Sequence, residues 1–152
     1  MRVSDYLKEK FCIMDLKATD KDSAIKEIAQ CLGNGGRLTD EGNFVNDVLE
    51  REKLGSTGIG HNVGIPHART AAVKGFIIGF GRSNEGIDFN ALDGEKVKLV
   101  FLMGADPAEL NLYLRILAEL SKLLMNTSFR QELISAKGAA EVISTIKKFE
   151  KS

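Results

Sequence analysis

The sequence has few of the residues that mark specialised classes of protein. It holds only two cysteines, Cys12 and Cys31, and they are not spaced as a C-x-x-C pair. This argues against a disulfide scaffold and suits a reducing cytosol. The 21 basic and 21 acidic residues give a formal net charge of zero, so the chain has no overall basic field that would attract nucleic acid or anionic lipid. We therefore expect no nucleic-acid partner.

Long apolar runs are also lacking. Residues 1–10 carry charges where a signal peptide needs an apolar stretch, and no later run reaches the length of a transmembrane helix. We therefore expect a cytoplasmic, unprocessed protein. The chain has 152 residues, 43% of them hydrophobic, which suits one domain, residues 1–152, with a core of its own.

The first third of the chain has the pattern of helices. Apolar residues recur at helical spacing behind side chains that can cap a helix. The predicted helices are 3–11 with Ser4 as the cap, 19–32 with a Thr19-x-x-Asp22 capping box, and about 39–53 with Thr39 or Asp40 as the cap. A short strand is predicted at residues 13–16.

The middle of the chain is rich in strands and the end is helical. Strands are predicted at 75–81 and 97–103, the second central in the sheet, with a turn-containing connection at 82–92 between them. Helices are predicted at 110–125, 128–135 and 139–149. Helices on both sides of a strand-rich middle indicate an α+β fold in which a sheet lies between helical layers. This pattern does not predict the order of the strands.

Residues 51–70 are the densest group of chemically capable side chains. They contain both histidines of the chain, one of its two prolines and several glycines, with Arg51 and Arg69 near the two ends. From residue 55 to Pro66 the glycine density predicts an irregular loop, with a short extended run at 63–65. Such a loop, read alone, is most simply a connection between elements of the fold.

Two kinds of site fit this loop poorly. A Walker A phosphate loop needs Gly-Lys-Ser/Thr after its glycines, and the G-x-G-x-x-G spacing of dinucleotide-binding proteins is missing as well. His61 and His67 could both reach one metal ion, but no carboxylate or thiol lies between them, and a metal site needs three or four ligands. We predict no metal and no cofactor.

Phosphoryl transfer to His67 fits better. A neutral imidazole is a good nucleophile near pH 7, because its reference pKa is about 6.5. A backbone carbonyl can hold one ring nitrogen so that the other keeps its lone pair. Phosphoryl transfer depends on positioning and positive potential, which Arg51, Arg69 and the N–H groups of a glycine loop can supply. Simpler roles remain open at this point, because Arg51 also complements the end of a helix dipole and Ser56 and Thr57 also satisfy local backbone groups.

The order of residues in this stretch resembles a known family. Thr57-Gly58-Ile59-Gly60 followed by Ile65-Pro66-His67-Ala68 is similar to the type-2 enzyme IIA domains of the bacterial phosphoenolpyruvate-dependent sugar phosphotransferase system. That is the fructose and mannitol family, which includes nitrogen-regulatory IIA proteins. The likeness extends over nearly the whole chain, to residues 16–21, 49–52, 100–102 and 114–124.

The resemblance implies a function and a fold. It implies that His67 accepts a phosphoryl group from an HPr-like phosphocarrier protein and passes it to a IIB domain, with Arg51 beside the phosphohistidine. It also implies a three-layer α/β/α sandwich with a mixed sheet. Ser56, Thr57 and Gly58 are supporting or phosphate-binding candidates. The alternative is a nitrogen-regulatory type of protein that binds a regulated partner. For either role, any contact with a membrane is at most peripheral, through a permease.

The chain departs from the family at Tyr113, at Gly64, where alanine is usual, and at His61 and Asn62, where Asn and Gly are frequent. The family commonly has a second histidine at the start of the long late helix, where this chain has Tyr113. A tyrosine hydroxyl can donate a hydrogen bond to phosphate but cannot carry imidazolium charge, and Tyr113 also lies on the apolar face of its helix. His61 stands where asparagine is frequent, and we expect it to be a surface loop residue.

Overall fold

The computed structural model describes residues 2–151. Within them the chain forms six α-helices: α1 (Val3–Tyr6), α2 (Lys21–Leu32), α3 (Glu41–Lys53), α4 (Leu110–Leu124), α5 (Thr127–Ser135) and α6 (Ala139–Glu150). It also forms six strands: β1 (Cys12–Ile13), β2 (Gly58–Gly60), β3 (Val63–Gly64), β4 (His67–Arg69), β5 (Phe76–Ile87) and β6 (Val97–Ala105). No helix among residues 2–151 combines the length and the apolar character needed to cross a bilayer.

The strands form one mixed sheet around β6. The order is β1-β5-β6-β3-β2, and β4 also pairs with β6. The pairs β5–β6 and β2–β3 are antiparallel, whereas β1 is parallel to β5 and both β3 and β4 are parallel to β6. The prediction that the second long strand is central is confirmed, because β6 holds β5 on one side and β3 and β4 on the other.

Alternation along β5 and β6 creates two cores, one on each face of the sheet. Side chains such as Phe80 and Phe101 pack with α1, α4, α5 and α6, whereas Val100 and Leu102 pack with α2 and α3. Successive residues of a strand point to opposite faces, so both faces of these long strands are buried. The predicted three-layer α/β/α sandwich with a mixed sheet is confirmed.

Two helix starts are fixed by aspartates. Asp20 Oδ1 accepts a hydrogen bond from Ser23 N at 2.9 Å, and Asp40 Oδ1 accepts one from Asn43 N at 3.0 Å. The Asp40 cap and the end of α3 at Lys53 are as predicted. The Thr19 cap is wrong by one residue, because the Asp20 carboxylate reaches the orphan N–H group of the first turn.

The N-terminal prediction needs correction. The α-helix there is only Val3–Tyr6, and a separate 3₁₀ turn covers Glu9–Phe11. Ser4 is not the cap, because it lies inside the helix and its hydroxyl donates to Glu150 Oε1 at 2.6 Å. The strand that follows comes earlier than predicted, at Cys12–Ile13.

Two regions predicted as connections contain strand. The segment predicted as a connection after residue 81 continues β5 to Ile87, where pairing with Val97 of β6 resumes after an irregularity that follows Arg82. The loop before Pro66 contains the hairpin β2–β3. His61 and Asn62 form its turn with φ of 57° and 68°, the positive values of a type I′ turn. The three C-terminal helices agree with prediction to within one residue at each end.

Candidate functional site

His67 is the first residue of β4 and is anchored to the central strand. It lies opposite Met103 of β6. The carbonyl of Pro66 accepts a hydrogen bond from Met103 N at 3.0 Å. The backbone before and after the histidine is therefore held by a strand that is buried on both faces.

The ring of His67 is held by one hydrogen bond to backbone. Nδ1 lies 2.6 Å from the carbonyl oxygen of Ile65. A carbonyl oxygen can only accept, so Nδ1 carries the proton and Nε2 of the neutral ring keeps its lone pair. The arrangement is the one expected for a nucleophilic imidazole whose second nitrogen is fixed by backbone.

The surroundings of His67 favour its neutral form. Burial is the largest influence and lowers the pKa of His67, and the guanidinium of Arg51 lowers it further. The Ile65 carbonyl and the Glu52 carboxylate act in the opposite direction without reversing the shift. The histidine therefore remains unprotonated at neutral pH.

A cleft of about 340 Å³ opens at this histidine. It is lined by His67, Ala68 and Arg69 of β4, by Asp47 and Arg51 of α3, and by Tyr113 of α4. Arg51 lies in the last turn of α3, and its Nη1 donates to the carbonyl of Gly55 at 2.9 Å. Arg69 is two residues after His67, so its side chain leaves the same face of the strand. Two arginines and His67 therefore line the same cleft.

Tyr113 forms the wall contributed by α4. Its ring centroid lies 5.8 Å from that of His67, with 57° between the planes. Burial raises the pKa of Tyr113, and Arg51 and Arg69 only partly oppose this. The phenol thus stays protonated and keeps a donor O–H at neutral pH. Tyr113 also packs in the core with α4 and the sheet, so it contributes to both the core and the cleft.

Ser56, Thr57 and Gly58 do not line the cleft. The Ser56 hydroxyl donates to the carbonyl of Phe89 and accepts from Gly58 N at 3.0 Å. The Thr57 hydroxyl donates to the carboxylate of Glu52. These groups stabilise the loop that precedes the hairpin. Direct contact of this loop with a phosphoryl group stays a prediction.

His61 lies apart from the cleft, at the exposed turn of the hairpin, as expected for a surface residue. Its backbone N–H donates to Asp93 Oδ2 at 3.1 Å. Among residues 2–151, no three His, Cys, Asp or Glu side chains are grouped closely enough to hold a metal ion.

Two acidic residues near the cleft were not predicted from the sequence as site residues. Asp47 lines the cleft one helical turn before Arg51, and this i, i+4 spacing was a signal available in the sequence. Glu52 is buried behind Arg51. Nothing in its local pattern distinguishes it from the exposed glutamates around it.

The geometry suits transfer of a phosphoryl group. A free lone pair on Nε2, two guanidiniums and a neutral hydroxyl surround one open space, and an incoming phosphoryl group brings negative charge on several oxygens. The model of the family "Phosphoenolpyruvate-dependent sugar phosphotransferase system, EIIA 2" matches residues 5–149. The chain belongs to this family. As an EIIA 2 protein it is a phosphotransfer component of that system.

Relatives of this EIIA 2 protein include transport components and a regulator. The chain is 38% identical over 122 residues to the fructose-specific EIIA component of Haloferax volcanii, covering 80% of this chain and 79% of the relative. It is 34% identical over 151 residues to the fructose-specific EIIABC component of Bacillus subtilis, covering 99% of this chain but 24% of the relative. It is 30% identical over 148 residues to the nitrogen regulatory protein of Bradyrhizobium diazoefficiens, covering 96% and 95%.

Solved structures give the same fold. The nitrogen regulatory protein IIA-Ntr of Neisseria meningitidis superposes with a TM-score of 0.88 at 29% identity, covering 95% of this chain and 98% of that one. The mannitol IIA enzyme of Escherichia coli, in its complex with phosphorylated IIB enzyme, superposes with a TM-score of 0.79 at 24% identity, covering 93% and 99%. The second likeness bears on fold alone.

Proposed function

We propose that this EIIA 2 protein, as a single IIA domain over residues 1–152, accepts a phosphoryl group on Nε2 of His67 from an HPr-like phosphocarrier and passes it to a IIB domain. The observation that carries the proposal is the bond from Nδ1 of His67 to the carbonyl of Ile65. It leaves Nε2 as the nitrogen that can attack. On this proposal the protein works in the cytoplasm, at most peripheral to a membrane permease, and needs no metal or cofactor.

The first transfer breaks one phosphorus–nitrogen bond and forms another. The Nε2 lone pair attacks phosphorus in line with the leaving nitrogen of the donor, which takes the bonding electron pair. The ring becomes cationic, and the Ile65 carbonyl stabilises the proton that stays on Nδ1. Arg51 and Arg69 balance the charge on the phosphoryl oxygens, and Tyr113 donates a neutral hydrogen bond. In the second transfer Nε2 is the leaving atom.

A regulatory role is the second candidate. It is supported by the Bradyrhizobium nitrogen regulatory protein, which matches nearly end to end, and by the structural likeness to IIA-Ntr. In this case phosphorylation of His67 changes which regulated protein is bound, and no sugar is transported.

The test of the phosphocarrier role uses both histidines. The protein is incubated with labelled phosphoenolpyruvate, enzyme I and HPr, and acid-labile label is measured. Wild type and His61→Ala are expected to be labelled, because His61 is outside the cleft, whereas His67→Ala is expected to take no label. Absence of label from wild type, or its persistence in His67→Ala, contradicts the proposal.

Transport and regulation are separated by what the phosphorylated form does next. A transport component passes the label rapidly to a IIB domain. A regulator retains it and binds a partner protein in one phosphorylation state only. Rapid transfer to IIB without a state-dependent partner therefore excludes the regulatory alternative.

A further inference from the structure

Glu52 is a buried carboxylate beside the cleft. It lies in the last turn of α3, directly after Arg51, and only 6% of its surface is exposed. A buried charge is costly unless hydrogen bonds and an opposite charge compensate it. Thr57 donates to it twice, through its backbone N–H at 3.0 Å and through its hydroxyl, and Lys21 Nζ lies 3.8 Å away. The lysine side chain is itself only 17% exposed.

The contacts of Glu52 continue to the nucleophile. Thr57, which Glu52 holds, accepts a hydrogen bond at its carbonyl from Ile65 N at 3.0 Å. The carbonyl of Ile65 in turn accepts the Nδ1–H of His67 at 2.6 Å. The buried carboxylate is therefore joined to the imidazole by three consecutive hydrogen-bonded steps, each of which uses a backbone atom of Thr57 or Ile65.

We propose that Glu52 is a positioning residue: by fixing Thr57, and through it Ile65, its carboxylate holds His67 in the Nδ1–H tautomer with Nε2 toward the cleft. This rests on the proposed function of His67 as phosphoryl acceptor. Glu52 is not among the residues that line the cleft, so it positions the ring through Thr57 and Ile65 rather than by contact with the reacting nitrogen. The ammonium group of Lys21, 3.8 Å away, partly offsets the cost of burying this carboxylate.

The charge of Glu52 has a second, separable effect. The carboxylate raises the pKa of His67, against the larger effect of burial and alongside the Ile65 carbonyl. Loss of the charge therefore lowers that pKa further. A substitution that merely loosened the fold would expose the ring and move the pKa in the opposite direction, toward its ordinary value.

Glu52→Gln tests the inference, because it keeps the shape and one acceptor oxygen but removes the charge. Glu50→Gln is the matched control, since Glu50 lies two residues earlier and makes only an exposed contact of 2.7 Å with Lys53. The readouts are the ¹⁵N chemical shifts of the His67 ring, which report the tautomer, their pH titration, and the rate of phosphoryl acceptance from phospho-HPr.

Wild type and Glu50→Gln are expected to show the Nδ1–H tautomer and equal rates. Glu52→Gln is expected to show mixed tautomers, a lower titration midpoint, and a rate reduced about tenfold or more, the order of loss seen when a nucleophile is mispositioned. Thr57→Val, which removes only the hydroxyl, is expected to give mixed tautomers without lowering the midpoint. It also keeps the test valid if Glu52→Gln does not fold.

An unchanged tautomer in both variants overturns the inference, whatever happens to the rate. The ring shifts are measured on unphosphorylated protein. If wild type takes no phosphoryl group while the variants still change the tautomer, the proposed function fails and the positioning role stands. If wild type is labelled and the tautomer is insensitive to Glu52, the positioning role fails and the proposed function stands.

Discussion

Arg51 is the cleft residue whose charge we expect to act most directly on a phosphoryl group at His67. Its guanidinium lines the cleft beside His67 and is steadied by the carbonyl of Gly55. Replacement by glutamine removes the charge, and replacement by lysine keeps the charge but loses the planar fork. We expect the initial rate of phosphoryl acceptance to fall about a hundredfold in Arg51→Gln, with Arg51→Lys between it and wild type.

The measurement is the initial rate with phospho-HPr as donor. Arg37→Gln serves as the control, because Arg37 does not line the cleft. Equal rates in wild type and Arg51→Gln would remove the arginine from the mechanism.

Burial of His67 predicts the pH dependence of phosphoryl acceptance. Burial, and then Arg51, hold the pKa of His67 below its ordinary value. The ring therefore keeps its lone pair throughout the neutral range, and imidazolium forms only in more acidic solution. We expect a constant rate at neutral pH and a loss of rate only below about pH 6.5, the ordinary pKa of histidine.

Initial rates measured across this range with saturating donor check the expectation. Arg51→Gln provides an internal comparison, because removal of the nearby positive charge raises the pKa of His67 and moves the acidic decline to higher pH. A wild-type decline that already begins in the neutral range contradicts a buried, neutral imidazole.

Among single residues, the sequence predicted those that line the cleft better than those that hold them in place. His67 and Arg51 belong to a motif and share one short stretch, so they could be named before the structure. Glu52 follows Arg51 in the same motif, but its burial depends on Thr57 folding back onto it and on Lys21 arriving from another helix. The contact from Lys21, on another helix, leaves no mark on the residue spacing around Glu52.

Gly104 lets α3 approach the central strand β6. A Cβ built on this residue would lie 2.5 Å from Phe44 Cε1 and 3.0 Å from Val73 Cγ2. We expect Gly104→Ala to lower the free energy of unfolding by about 2 kcal/mol, because the core on this face is closely packed. The same substitution at Gly42, in the first turns of α3 with only one atom 3.7 Å away, is expected to raise it by about 0.5 kcal/mol.

Urea unfolding of the two variants and wild type measures both changes. Gly42→Ala adds the same methyl group where there is space, so a loss found only in Gly104→Ala is assigned to the crowding around its Cβ. An unchanged free energy of unfolding in Gly104→Ala would mean that Phe44 can move away without a loss of stability.

Elements with strong side-chain periodicity were predicted well, and elements defined by backbone pairing were not. The helices α4 to α6 carry apolar stripes, and their limits came out within a residue. Glycines and polar residues are frequent in the hairpin β2–β3 and at the end of β5, and of these segments only the extended run that contains β3 was predicted. Pairing with neighbours in the sheet decides such segments more than local propensity does.

Arg82 joins the layers of the molecule. It lies on β5, and its guanidinium donates to Met14 O at 3.2 Å and to three carbonyls at the end of α5, those of Leu133, Ile134 and Ala136, at 2.7–3.1 Å. Arg82→Met would leave these carbonyls without the donor. We expect the free energy of unfolding to fall by about 3 kcal/mol, since hydrogen bonds to charged groups are among the strong ones.

Thermal and urea unfolding measure the change in the free energy of unfolding of Arg82→Met. Arg115→Met is the control, because Arg115 makes only a partly exposed contact of 3.8 Å with Glu119 on its own helix, and its loss should cost less than about 1 kcal/mol. Similar losses in the two variants would show that Arg82 is no more than a surface charge.

The layered architecture followed from the order of elements, but the sheet topology did not. A strand-rich middle between helices indicates a covered sheet. The placement of both β3 and β4 along one edge of β6 brings His67 level with Met103, and it is made by backbone pairing between segments that are distant in the sequence. The position of the site in the molecule therefore depended on information that the chain order does not contain.

The hydrogen bond from Nδ1 of His67 to the carbonyl of Ile65 has a kinetic consequence. If His67 is the phosphoryl acceptor, as proposed, one ring nitrogen serves both halves of the exchange, so a donor and an acceptor of the group cannot occupy His67 together. The two half-reactions must alternate, which gives parallel lines in double-reciprocal plots, the pattern of a ping-pong enzyme. An excess of either partner in the wrong phosphorylation state then acts as a competitive inhibitor of the other.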